Sequence, residues 1–223
     1  MSNIFRIAID GPSGAGKSTI AKSVASKLNI DYIDTGAMYR AIGYKMDRDS
    51  IPFEEGSQLQ SMLDQTDIDF ISGDIYLDGK IVNSLIRTPE VSMLASKCSS
   101  IPMVRAKLVQ IQRNMGTRKS VIMDGRDIGT NVLTDAEFKI FLTASAEERA
   151  TRRFKELEEK ATCPEEIQPY EEVLADIKQR DYNDMTRKIN PLRKADDAIE
   201  LDTTGMNIDM VVDALLNIVK KGN

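Results

Sequence analysis

Residues Gly11-Pro12-Ser13-Gly14-Ala15-Gly16-Lys17-Ser18 follow the spacing G-x-x-x-x-G-K-[ST], with Thr19 next in the chain. Glycines at positions 11, 14 and 16 let the backbone curl until successive N–H groups face one concavity, which suits phosphate oxygens. The lysine and hydroxyl at its end supply the rest of the chemistry. Lys17 would reach the β- and γ-phosphates of a nucleotide, and the Ser18 hydroxyl would ligate Mg²⁺. Such a loop must follow a strand and open a helix, so that the positive helix end meets the same anion. Both conditions are met. A short apolar run, Ile4–Ile9, leads into Asp10, and beyond the loop Ile20, Val24 and Leu28 recur at i, i+4 and i+8 on one helical face.

Other charged groups sit where a second anion would bind. Asp34-Thr35-Gly36-Ala37-Met38-Tyr39-Arg40 and Asp124-Gly125-Arg126-Asp127 each follow a short apolar run. That places both at carboxyl ends of strands, where open α/β sheets bind ligands. Arg180, Asp184 and Arg187 fall within about 60° on one helical face. Arg149, Arg152 and Arg153 gather on another, with Glu156 in reach to pair with them. Spacing alone leaves open whether these arginines form solvated ion pairs or line a crevice.

Composition narrows the chemistry. The 223-residue chain contains no histidine, which excludes Ser–His triads, histidine bases, phosphohistidine and histidine-bearing metal sites. Cys98 and Cys163 are its two cysteines and form no CxxC pair, so neither a zinc site nor a disulfide framework is signalled. A reducing cytoplasm is the simplest setting. The formal net charge of −5 argues against a nucleic-acid polymer as partner. The longest apolar stretch, Met210–Val219, is broken by Asp213 and Asn217 and is too short to span a membrane. The N-terminus shows no signal-peptide pattern, and the 11 methionines read as core filling.

The elements that must hold these groups alternate. Strand candidates recur at Tyr32–Asp34, Val121–Asp124, Lys139–Leu142 and Ala198–Asp202, with helical stretches between. This alternation implies a parallel α/β sheet. Residues 67–82 break the rhythm. Gly73-Asp74 and Asp78-Gly79 are both two-residue hairpin signals, so a small three-stranded antiparallel sheet is expected there as part of an inserted lobe. Residues 145–180 are dense in charge and read as helices.

A phosphate-binding loop serves switches, motors and kinases alike. No N-K-x-D base-reading motif is present, Asp202-Thr203-Thr204-Gly205 falls too late in the chain to be a switch element, and the length does not suit a large motor. A small-molecule kinase fits best. A hydroxyl acceptor usually needs a base to take its proton. A phosphate monoester, with a second pKa of about 6, is mostly dianionic at neutral pH and needs none. The absence of histidine therefore favours a nucleoside monophosphate kinase. Phosphorylation of UMP or another small acceptor, and a slowly hydrolysing nucleotide switch, are the competing readings.

The chain also resembles the bacterial cytidylate kinase family over nearly its whole length. The resemblance lies in IDGPSGAGKST (Ile9–Thr19), DTGAMYRA (Asp34–Ala41), IRTPEV (Ile86–Val91), MDGRDIGT (Met123–Thr130) and IKQRDYNDMTRKINPL (Ile177–Leu192). It implies one domain of the P-loop NTPase fold, a five-stranded parallel sheet flanked by helices. The core would comprise residues 1–40, 111–146 and 171–223, with a nucleoside-monophosphate-binding insert at 41–110 and a helical lid at 147–170. It implies ATP and Mg²⁺ as phosphate donor and metal, CMP and dCMP as acceptors, and a monomer. By this resemblance Gly11 to Thr19 bind ATP, and Lys17, Arg126, Arg187, Arg149 and Arg153 act in catalysis. Asp127 meets the cytosine amino group, with Arg105 and Ser96 also on the base and Thr35 close to base or sugar. Tyr39, Arg40, Arg126 and Arg187 hold the acceptor phosphate, and Arg180 with Asp184 the ribose. Arg149 and Arg153 belong to the lid, where Arg152 could replace Arg153. Asp124 joins Ser18 at the metal, through water.

Overall fold

A computed structural model of the protein describes residues 4–71, 73–161 and 167–222. In chain order the elements are β1 (Arg6–Asp10), α1 (Lys17–Leu28), β2 (Asp31–Asp34), α2 (Thr35–Arg48), α3 (Ser57–Asp64), β3 (Ile68–Ile71), β4 (Asp74–Leu77) and β5 (Lys80–Ile81). There follow α4 (Pro89–Cys98), α5 (Pro102–Arg118), β6 (Val121–Gly125), a single π-type turn at Ile128–Val132, β7 (Phe138–Thr143), α6 (Ala146–Lys160), α7 (Tyr170–Thr186), β8 (Ile199–Asp202) and α8 (Ile208–Gly222).

Five strands form one sheet in the order β2-β6-β1-β7-β8, and every neighbouring pair is parallel. Parallel neighbours need crossover connections, which place helices over both faces. The period-two alternation of a strand then divides its side chains between two cores. Ile7, Ile9 and Ile122 pack with Val24 of α1 and Leu215 of α8. Ala8, Val121 and Met123 face the other way, onto Met38 and Ile42 of α2 and Leu108 of α5. The Met210–Val219 run is an amphipathic helix face: Val211, Val212, Leu215 and Val219 are buried, while Met210 stays exposed. Among the described residues no helix is long and apolar enough to cross a membrane.

The small antiparallel sheet β3-β4-β5 is present, with one adjustment. Its second turn is Asp78-Gly79 as expected, both residues at positive φ of 51° and 76°, as a type I′ turn requires. Asp74, expected in the first turn, belongs to β4 instead: it is paired with Ile71, and Asn83 Nδ2 donates to its carboxylate at 2.7 Å. The segment 41–110 also carries α3 and α4 whole, and α2 runs unbroken through residue 41 as α5 does through residue 110. Core and inserted segment are thus joined by continuous helices.

In the charge-rich stretch, α6 and α7 pack through Ala150, Val173 and Ile177 and through an edge-on contact of Phe154 with Tyr170 at 6.0 Å. Residues 162–166 of the expected lid, Cys163 among them, lie outside the described residues.

Candidate active site

The site starts from strand ends. β1 finishes at Asp10, and the chain turns at once into the glycine loop. At Gly11, φ is +149° and an added Cβ would meet the Leu142 carbonyl oxygen of neighbouring β7 at 2.0 Å, so a side chain is sterically barred there. Gly14 and Gly16 take the left-handed region at 76° and 82°, and α1 opens at Lys17 with Gly16 as its N-cap. The Lys17 ammonium donates to the Pro12 carbonyl at 2.6 Å and is 5% exposed. Burial, with Arg126 nearby, pulls its pKa down to about 7.

Asp124, at the end of β6, organises the next layer. One carboxylate oxygen accepts from the Ser18 hydroxyl at 2.8 Å and the other from the Tyr32 hydroxyl at 2.8 Å. Its backbone carbonyl accepts from Thr35 Oγ1 at 2.6 Å. Burial and the charge of Asp34 hold the Asp124 carboxyl above its usual pKa range. Ser18 and Asp124 supply adjacent hard oxygen donors, the set that suits Mg²⁺, which usually takes one or two protein ligands alongside phosphate and water.

Between these groups and the inserted segment lies a cavity of about 940 Å³, large enough for two small ligands end to end. Residues 13–19 line one end, and Thr35, Tyr39, Arg40, Ser96, Arg126, Asp127, Arg180, Asp184 and Arg187 line the rest. The charges are mutually held. Asp127 accepts from Arg105 at 2.5 Å, Arg187 at 2.9 Å and Asn131 Nδ2 at 3.0 Å. Arg126 Nε donates to Asp184 at 2.7 Å. Asp34 caps α2 by accepting from the Ala37 N–H at 2.8 Å, and its second oxygen takes Arg40 at 2.9 Å. Arg180 makes no hydrogen bond or ion pair among the described residues, and burial lowers its pKa. Arg105 lies behind Asp127, 2% exposed, with its guanidinium 5.8 Å from the Tyr39 ring centre. It does not itself line the cavity.

The three arginines of α6 separate. Arg149 is buried and locked, donating to the Ser13 carbonyl at 2.8 Å and to both oxygens of Asp181 at 3.1 and 2.6 Å. Arg152 lines the cavity and donates to the Thr203 carbonyl at 2.7 Å. Arg153 pairs at 3.1 Å with Glu156, which lines the cavity, but is not itself among the lining residues.

Sequence reasoning missed several participants. Tyr32 is an unremarkable strand residue until β2 and β6 are paired. Asp10 accepts from the Ile128 and Gly129 N–H groups at 2.8 Å each, fixing the turn that follows Asp127, and burial pushes its carboxyl up to about 6. Its signal was a carboxylate ending an apolar strand. Arg87, 3.8 Å from Asp34, lies in the IRTPEV run but was given no role there, and the segment from Met206 to Asp209, which carried no motif, also lines the cavity with it.

Comparison with known proteins gives a consistent result. The family model described as cytidylate kinase matches residues 7–221. A curated cytidylate kinase of Clostridium perfringens (strain SM101 / Type A) is 51% identical over 99% of this chain and 100% of that protein. One from Caldicellulosiruptor saccharolyticus is 54% identical over 97% of this chain and 96% of its own length. Among solved structures, an uncharacterized protein from Eubacterium ventriosum superposes with a TM-score of 0.55 at 13% identity, covering 98% of this chain and 99% of that one. That last likeness is one of fold alone.

Proposed function

The chain belongs to the cytidylate kinase family, and from that premise we propose that it transfers the γ-phosphate of ATP to CMP or dCMP, giving ADP and CDP or dCDP. The observation that carries the reading is one continuous cavity joining the glycine loop to a cluster of Arg40, Arg126, Arg180 and Arg187. A nucleotide switch has no use for a second arginine-lined anion site.

The mechanism follows from placement. Residues 11–19 cradle the donor phosphates with backbone N–H groups and the positive end of α1. Lys17 neutralises charge on the β- and γ-phosphates, and a phosphate beside it would restore its protonated form. Arg126, Arg187, Arg40 and Tyr39 hold the acceptor phosphate in line with the γ-phosphorus. An acceptor oxygen forms the new bond to phosphorus as the β–γ bridging bond breaks, and the electron pair leaves with ADP. Because the acceptor is already an anion, no proton must be removed. Catalysis reduces to alignment and charge neutralisation. Ser18 directly, and Asp124 through water, would hold Mg²⁺, which when bound supplies neutralising charge to the phosphate oxygens.

Base recognition falls to the inner wall. Cytosine offers an N4 amino donor beside the N3 and O2 acceptors, so the Asp127 carboxylate meets the donor, with Arg105 behind it and Ser96 opposite. Thr35 sits near the sugar, which Arg180 and Asp184 hold. The segment 41–110 acts as the acceptor-binding lobe and 147–170 as the lid, with Arg149 fixing its root and Arg152, in place of Arg153, facing the phosphates. Closure excludes water that would otherwise take the phosphoryl group. Cytoplasmic, monomeric action completes the reading.

Calorimetric binding of CMP and of ATP to Asp127→Asn tests it. CMP should weaken about tenfold or more while ATP is unchanged. An equal loss of both would mean damage to the shared core and would remove Asp127 from base recognition.

A further inference from the structure

One group in the cavity wall has no task in the mechanism above. Gln112 is 1% exposed, it lines the cavity, and its side-chain Nε2 has no hydrogen-bond partner. A buried amide donor left unpaired is destabilising unless a ligand or water completes it. Its position says what kind of ligand. Gln112 follows Arg105 by seven residues on α5, so the two side chains leave the helix within about 20° of one direction. Arg105 grips Asp127 at 2.5 Å, and the residue after Gln112, Arg113, donates to the Asn131 carbonyl at 2.6 Å. Asn131 in turn donates to Asp127 at 3.0 Å. Gln112 therefore lines the cavity from the same face of α5 as Arg105, about 10.5 Å further along the helix.

We propose that Gln112 is a base-reading residue, donating from Nε2 to the N3 acceptor of a cytosine whose amino group meets Asp127. This rests on the function proposed above and extends it to discrimination. Uracil carries a hydrogen on N3, so it would set a donor against the Gln112 donor and a carbonyl against the Asp127 carboxylate. A site built around a buried hydrogen bond rejects an analogue that cannot make it.

The test is kcat/KM of Gln112→Met, close in size but with no donor, measured with CMP and with UMP, alongside KM for ATP and thermal unfolding. The CMP value should fall about tenfold, the UMP value should hold or rise, and KM for ATP should not move. An unchanged CMP-to-UMP ratio, whether both values fall together or neither changes, would overturn the assignment. Should Gln112→Met unfold, the same ratio in Gln112→Leu decides. Wild-type protein that transfers phosphate to no pyrimidine monophosphate would instead remove the underlying function. A wild type active on CMP with an indifferent Gln112 variant would remove only this inference.

Discussion

Lys17 pairs a functional gain with a folding cost. Its ammonium is buried against the Pro12 carbonyl, and burial depresses its pKa from 10.5 to about 7. A lysine whose folded pKa is depressed contributes stability above its unfolded pKa and loses it as pH falls through the folded value. The penalty is therefore complete below about pH 7 and gone near pH 10.5. Lys17→Met should accordingly be more stable than wild type at pH 6.5, by an amount on the order of a few kcal/mol, and the gain should vanish by pH 10. The same variant should lose kcat by roughly a hundredfold or more, as when a group aimed at transition-state charge is removed. Denaturant titrations across pH, with single-turnover rates, check both halves. Near-wild-type kcat would take Lys17 out of the mechanism. At this scale the sequence was informative where a motif fixed the role: the glycine loop, Ser18, and the Asp124–Asp127 run. It was silent on Tyr32 and Asp10, whose partners lie 92, 118 and 119 positions away, and on Gln112, whose buried Nε2 has no partner among the described residues.

Helices α6 and α7 are joined to the glycine loop by one guanidinium. Arg149 spans from the Ser13 carbonyl to Asp181 of α7, and both side chains are largely out of water, at 5% and 15%. Removing one partner of such a pair leaves the other desolvated and uncompensated. Asp181→Ala should cost about 3 kcal/mol of stability, read by urea unfolding. A loss under about 0.5 kcal/mol would mean the pair behaves as an exposed one. Element boundaries show what local patterns carry. The expected strands at Val121–Asp124 and Lys139–Leu142 grew by one or two residues to Val121–Gly125 and Phe138–Thr143. The Asp78-Gly79 turn held because both residues tolerate positive φ. Asp74, expected in the neighbouring turn, is held in the strand by Ile71 and Asn83 instead, a contact with no local signature. Helical periodicity likewise found three arginines on α6 but could not say that Arg149 is buried against Asp181 while Arg153 pairs with Glu156.

For the whole molecule, strand order explains why motifs far apart in sequence meet. With β1 between β6 and β7, Ile9 pairs with Asp124 and Asp10 with Gly125, while Asp34 pairs with Asp124 from the other side. The three strand ends that carry the glycine loop, DTGAMYR and DGRD are thus adjacent in space. Alternation of strands and helices in the sequence implied a parallel sheet, but pairing order depends on long-range packing that spacing does not encode. The resemblance to a known family implied the five-stranded parallel sheet but not the order of its strands, which the structure gives as β2-β6-β1-β7-β8. The central claim is that the two ends of the cavity hold a phosphate donor and a cytidine monophosphate acceptor. Its most direct test is ADP release coupled to a spectroscopic readout, with ATP and Mg²⁺ against CMP, dCMP, UMP, AMP and GMP. Fast turnover with CMP and dCMP, and little with the others, is the predicted result. ADP release at one rate whatever acceptor is supplied would contradict it.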